Sequence, residues 1–230
     1  QIPMDKILDF LRRLDKHNER EWFEAHKAEY REVKAEFDAF AAQLIAAIAS
    51  FDSSVANLSV NDCTYRIYRD TRFSNDKTPY KTHMGAFIAP GGKKSGFAGY
   101  YFQVGAHETG YPGGCMLATG HYCCDSKVLR LLREDIAFDE GKEFAASLQA
   151  APSFTLDWSD ALKRVPAGFP ADEEFSQWLR LRNFCLVMEP GSEYMTKPNL
   201  LERLAAEFKQ TKPFLDFINR AIAYSRESNE

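Results

Sequence analysis

The stretch Met84-Gly85-Ala86-Phe87-Ile88-Ala89 is followed by Pro90-Gly91-Gly92-Lys93-Lys94-Ser95-Gly96 and then by Phe97-Ala98-Gly99-Tyr100-Tyr101-Phe102-Gln103-Val104-Gly105. Two short runs rich in apolar and aromatic residues, joined by a loop of glycine, proline and lysine, have the character of paired strands and their turn. The texture extends in both directions. Cys63 to Arg69 precedes the pair, and Gly114 to Thr119 follows a second turn-rich segment, Glu108-Thr109-Gly110-Tyr111-Pro112-Gly113. The expectation is an antiparallel meander.

Outward from these strands the hydrophobic period changes to that of helices. Met4, Ile7, Leu8, Leu11 and Leu14 share one face of a first helix, with Pro3 suited to its first turn. Asn18 followed by Glu21 reads as a capping box, and Trp22, Phe23, Tyr30, Val33, Phe37, Phe40, Leu44 and Ile48 continue as one long helix or two joined end to end. Beyond the meander, Asp125 can cap a helix carrying Val128, Leu129, Leu132 and Ile136, and a second follows with Phe144 and Leu148 before Pro152. Phe154 to Trp158 and Leu162 to Val165 predict a hairpin, Asp172 to Leu181 a helix, and Phe184 to Met188 a strand. Two amphipathic stripes close the chain, Leu200 to Phe208 and Phe214 to Ile222, separated at Thr211-Lys212-Pro213. Strands bracketed by helices predict an α+β fold, a central, mainly antiparallel sheet flanked by N-terminal and C-terminal helices, over one domain spanning residues 1–230.

Composition narrows the partners. The 29 basic and 33 acidic residues leave a net charge of −4, so nothing draws the whole chain to nucleic acid or to an anionic membrane surface. The apolar run from Ala39 to Ala49 is interrupted by Gln43 and too short to span a bilayer, and Gln1 to Lys6 carries no apolar signal core, so neither a membrane segment nor export is expected. Five cysteines, at 63, 115, 123, 124 and 185, lack the spacing of a disulfide framework and suit a reducing cytoplasm. Cys115, His121, Cys123 and Cys124 could be imagined as metal ligands, but there is no paired C-x-x-C, and small buried or edge residues are the plainer reading; we expect no metal and no cofactor.

One polar segment, Asp62 to His83, has a charge balance opposed to that of the whole chain. Arg66, Arg69, Arg72, Lys77 and Lys81 face only Asp62, Asp70 and Asp76. Guanidinium forks suit phosphate or carboxylate, and Ser, Tyr and Lys add hydroxyl and point-charge contacts, so the predicted ligand-binding set is Arg66, Arg69, Asp70, Arg72, Ser74, Lys77, Tyr80, Lys81 and His83. The competing reading is that these cations pair internally and lock a loop onto the domain.

Arg20-Glu21-Trp22-Phe23, Arg66-Ile67-Tyr68-Arg69-Asp70, Arg72-Phe73-Ser74 and Asp76-Lys77-Thr78-Pro79-Tyr80-Lys81-Thr82-His83, with Gly85 to Ile88, Gly99-Tyr100-Tyr101 and Gly168-Phe169-Pro170, resemble the domain of unknown function 2461 family across nearly the whole chain. The resemblance implies a compact intracellular α+β domain without an established reaction or cofactor, and it carries over no catalytic residue. Gly114 to Cys124 is more cysteine-rich than the family's hairpin.

Three functions fit these residues. The first is a binding module for a small anionic or phosphorylated ligand in a basic pocket of the 66–83 segment. The second is an enzyme acting on a phosphoester, with Asp70 or His83 as general acid or base. The third and weakest is a nucleic-acid module with Tyr65, Tyr68, Phe73 and Tyr80 as stacking surfaces. No P-loop, G-x-S-x-G, H-E-x-x-H or dinucleotide fingerprint points to a named chemistry.

Overall fold

A computed structural model describes residues 4–122 and 124–227. Pro3 and Cys123 lie outside the described residues. The elements are α1 (Met4–Lys16), α2 (Arg20–Ala25), α3 (Lys27–Ala49), β1 (His83–Ile88), β2 (Gly99–Gly105), β3 (Met116–His121), α4 (Ser126–Glu134), α5 (Gly141–Gln149), β4 (Thr155–Leu156), β5 (Phe184–Met188), α6 (Ser192–Thr196) and α7 (Leu200–Glu227). The five strands form one sheet in the order β1-β2-β3-β5-β4, mainly antiparallel, with helices around it. The fold is α+β, as the patterning predicts.

The chain divides into two compact units. The first comprises Gln1–Ser95, Tyr101–Leu117 and Glu189–Ala206. Its core forms where the apolar face of α1 (Ile7, Leu8, Leu11, Leu14) and that of α3 (Val33, Phe37, Phe40, Leu44, Ile48) are removed from water, with Phe102 of β2 against Phe37 and Phe40. Side chains of this kind contribute about 1.5–3 kcal/mol each when fully buried.

The second unit comprises Gly96–Tyr100, Ala118–Met188 and Glu207–Glu230. Phe144 of α5 is its aromatic centre, edge-on to Trp178 and Phe184 and in contact with Phe214 and Phe217 of α7. A buried hydroxyl pair, Thr119 to Thr211 at 2.8 Å, satisfies two polar groups within this apolar setting.

Several local expectations are corrected. Cys63 to Arg69 is not a regular strand. It lies antiparallel to the chain that returns through 79–87, but holds only the isolated bridges Thr64 to Ala86 and Tyr68 to Tyr80. Asn18 does not cap α2, which starts after Glu19 without a side-chain cap. Its amide instead clamps the backbone of Tyr80, donating to the carbonyl at 2.9 Å and accepting from the N–H at 3.1 Å. Leu162 to Val165 forms no strand; β4 pairs with β5 directly, Thr155 opposite Val187 and Leu156 opposite Leu186. Asp172 to Leu181 yields only a 3₁₀ turn at Ser176–Arg180, because the Ser176 hydroxyl bonds Pro170 O and the Glu173 N–H, and such local bonds compete with a helix ladder.

Pro213 does not end a helix, and α7 runs through it. An interior proline costs about 3 kcal/mol. Phe208, Phe214, Leu215, Phe217 and Ile218 are all buried around it, and breaking the helix there would lose their common register, which outweighs the cost.

Candidate functional site

Residues 66–83 form a narrow ribbon in the first unit. The Arg69 N–H donates to Pro79 O at 2.9 Å and the Lys81 N–H to Ile67 O at 2.8 Å, so the two limbs are tied at the base and residues 70–78 form the tip. Arg69 is spent on that tip. Its guanidinium donates to Thr78 O at 2.7 Å, Thr78 Oγ1 at 3.0 Å and Asp76 O at 3.2 Å, with the Asp76 carboxylate at 3.6 Å and Ser74 Oγ at the limit of reach.

Arg72 and Asp70 form a two-pronged pair at 3.0 and 2.8 Å, which holds the Asp70 carboxyl below its usual range. Lys77 donates to Thr71 O at 2.7 Å. Tyr80 is 2% exposed, stacked on Phe23 at 4.1 Å. Five of the predicted residues, Arg69, Asp70, Arg72, Ser74 and Lys77, thus have contacts within the loop, and Tyr80 belongs to the core.

Arg66, Lys81 and His83 are brought together elsewhere. They line one recess with Tyr30 of α3, Tyr65, Ile67, Met84 and Gly85, and no carboxylate is among the lining residues. The space open to the centre of a water-sized sphere is about 20 Å³, enough for a water molecule or the oxygens of a small ion. The Arg66 guanidinium has no hydrogen-bond or ion-pair partner among the described residues, although Asp70, held by Arg72, feels its charge. Lys81 donates to Arg66 O at 2.6 Å and lies 5.6 Å from the Tyr65 ring centroid. Burial first, and the neighbouring Arg66 charge second, lower its pKa.

His83, at the start of β1, is pushed down to about 4 by burial and by Lys81, so at neutral pH its imidazole is uncharged. Burial pushes the Tyr30 and Tyr65 phenols up to about 12, so both hydroxyls keep their protons and can donate. The recess is therefore cationic and rich in donors.

Sequence reasoning missed what shapes the recess. A Cβ on Gly85 would lie 2.5 Å from Tyr101 Oη, so only glycine leaves room there. Tyr101 donates to Gln103 Oε1 at 2.6 Å. The buried Gln103 amide in turn donates to Pro112 O at 2.7 Å and Gly114 O at 2.8 Å, which fixes its orientation. A glycine inside an apolar strand was the available signal.

Among the stacking candidates, Phe73 is 95% exposed at the ribbon tip, Tyr65 and Tyr68 are half-covered, and Tyr80 is buried. No group of three or more His, Cys, Asp or Glu side chains among the described residues could hold a metal ion. No helix among them is long and apolar enough to cross a membrane.

The chain matches neither a curated protein nor a solved structure. A family model described as "Conserved hypothetical protein (DUF2461)" covers residues 6–217, which includes the whole ribbon and most of each unit. With nearly the full chain so matched, the protein belongs to the DUF2461 family.

Proposed function

We propose that the protein binds a small oxyanion, free or as the phosphate or carboxylate of a small metabolite, in the recess of Arg66, Lys81 and His83. The observation that carries this reading is a pair of neighbouring cations that form no ion pair among the described residues. Burial first and Arg66 second lower the pKa of Lys81, and no acid lines the space they share. A cation placed for stability alone is ordinarily paired, as Arg72 is with Asp70 and Arg220 with Glu143. Two left unpaired beside protonated phenols form an electrostatic cradle that a guest anion would complete.

The phosphoester-enzyme reading draws less support. Asp70 is held by Arg72 with its acidity strengthened, and an imidazole titrating near 4 is a weak base at neutral pH. Nucleic-acid binding has one exposed ring at the ribbon tip, flanked by a neutralised arginine. The described cysteines, 63, 115, 124 and 185, are not in disulfides, which favours a cytoplasmic, reducing setting.

Calorimetric titration with inorganic phosphate tests the proposal. Charge-assisted bonds contribute about 1.5–3 kcal/mol each, so Arg66→Gln should weaken binding at least about tenfold, while Arg72→Gln leaves it unchanged. Equal affinities in the wild type and Arg66→Gln would end the assignment.

A further inference from the structure

A second polar cluster, independent of the anion recess, lies in the other unit, where β3 ends and α4 begins. His121 closes β3, and its Nε2 is 2.9 Å from the carbonyl of Gly96. A carbonyl only accepts, so Nε2 carries the proton and Nδ1 presents its lone pair. That Nδ1 lies 3.8 Å from Sγ of Cys124, a half-buried thiol one residue before the N-cap of α4, which is also within donating distance of the His121 carbonyl at 3.8 Å. The tautomer set by Gly96 is the one that can accept the thiol proton.

A cation completes the surroundings. Arg133 of α4 is fastened by its Nε to Leu179 O at 2.8 Å and by its Nη2 to Leu181 O at 3.1 Å. Burial first and Arg182 second lower its pKa, while Cys124 raises it, so the guanidinium and the thiol lie within electrostatic range of each other. The positive end of α4 also favours negative charge at this point, although the Asp125 carboxylate takes up its first turn by accepting from Val128 N–H at 2.9 Å. A nucleophile, a correctly oriented base and a fixed positive charge are the parts of an activated cysteine.

We propose that Cys124 is a nucleophilic thiol, activated by His121, that exchanges with small disulfides. The thiol proton passes to His121 Nδ1, and the thiolate attacks one sulfur of the disulfide. The old S–S bond breaks as the new one forms, and the departing thiolate takes the proton back from His121, so one mixed disulfide and one free thiol result. The other described cysteines do not share this chemistry: Cys63, Cys115 and Cys185 are buried, and burial raises the pKa of each.

The test compares Cys124 with itself. Iodoacetamide labelling at pH 7, mapped by mass spectrometry, is timed for the native protein and for the urea-unfolded chain. Burial alone slows a native thiol, whereas activation should make native Cys124 react about three-fold faster or more, the gain in thiolate being partly offset by its lower nucleophilicity. His121→Gln should remove the advantage, and oxidised glutathione should add to Cys124 in the wild type. Slower labelling in the native state, label falling on Cys123 instead, or an undiminished rate in His121→Gln would each overturn the proposal.

Discussion

Arg69 offers the sharpest separation between a loop clamp and a ligand contact. Its guanidinium makes three good hydrogen bonds to the ribbon tip, at 2.7, 3.0 and 3.2 Å, with its side chain 25% exposed. A hydrogen bond to a charged group contributes about 1.5–3 kcal/mol. The three share one donor group and end on two carbonyls and a hydroxyl that water can reach once the tip opens, so they do not add, and about 2 kcal/mol is the expected loss in Arg69→Ala. For a chain of this size that is a fall in Tm of about 4–8 °C. Arg69→Lys should lose nearly as much, because a single ammonium cannot span Asp76, Thr78 and Ser74 together. Thermal unfolding followed by circular dichroism reads the global part. Brief trypsin digestion reads the local part, since Arg72 and Lys77 sit on the freed tip and should be cut several-fold faster. Phosphate affinity should be retained. An unchanged melt and digestion rate together with weakened phosphate binding would refute the clamp and make Arg69 a ligand group.

Two further perturbations probe the recess. Gly85→Ala places a methyl group against Tyr101 Oη, which must move away from Gln103; we expect a loss of about 1–3 kcal/mol in urea unfolding and of phosphate binding, and an unaltered variant would show that the Tyr101–Gln103 pair does not shape the site. His83 titrates near 4 when folded and near its ordinary 6.5 when unfolded, so between these values the unfolded chain holds the extra proton. Its contribution to stability is complete above about pH 6.5 and is lost as the pH falls toward 4, up to about 3 kcal/mol; urea midpoints measured across that window should fall less steeply in His83→Gln, and parallel curves would contradict the assigned burial.

The long helices and the strands of the central meander were largely legible because their signals are local. The periodic faces of α1 and α3 and the turn chemistry at Pro90 to Gly96 depend on residues within one or two turns of each other. Two of the errors occur where a distant partner or the surrounding core overrides the local preference. Asn18 would serve as a cap but is claimed by Tyr80, 62 positions away. Pro213 would stop a helix but sits among five apolar side chains that need it to continue.

The cationic segment follows the same logic at the level of charge. A sequence counts cations and anions, but the function of each arginine depends on which acceptor its fork meets. Arg69 and Arg72 meet theirs within ten residues, in the turns of the tip, so their pairing is a local event that composition could foreshadow but not assign. Arg66 and Lys81 come from opposite limbs of the ribbon and share a recess with Tyr30 of a helix far upstream, a meeting created only by the fold. Proximity of like charges costs free energy that a chain selected for stability alone would relieve with one aspartate or glutamate. That Asp70 and Asp76 are instead used out on the tip, and Asp62 on Ser59, is what supports the proposal that a guest anion completes the recess.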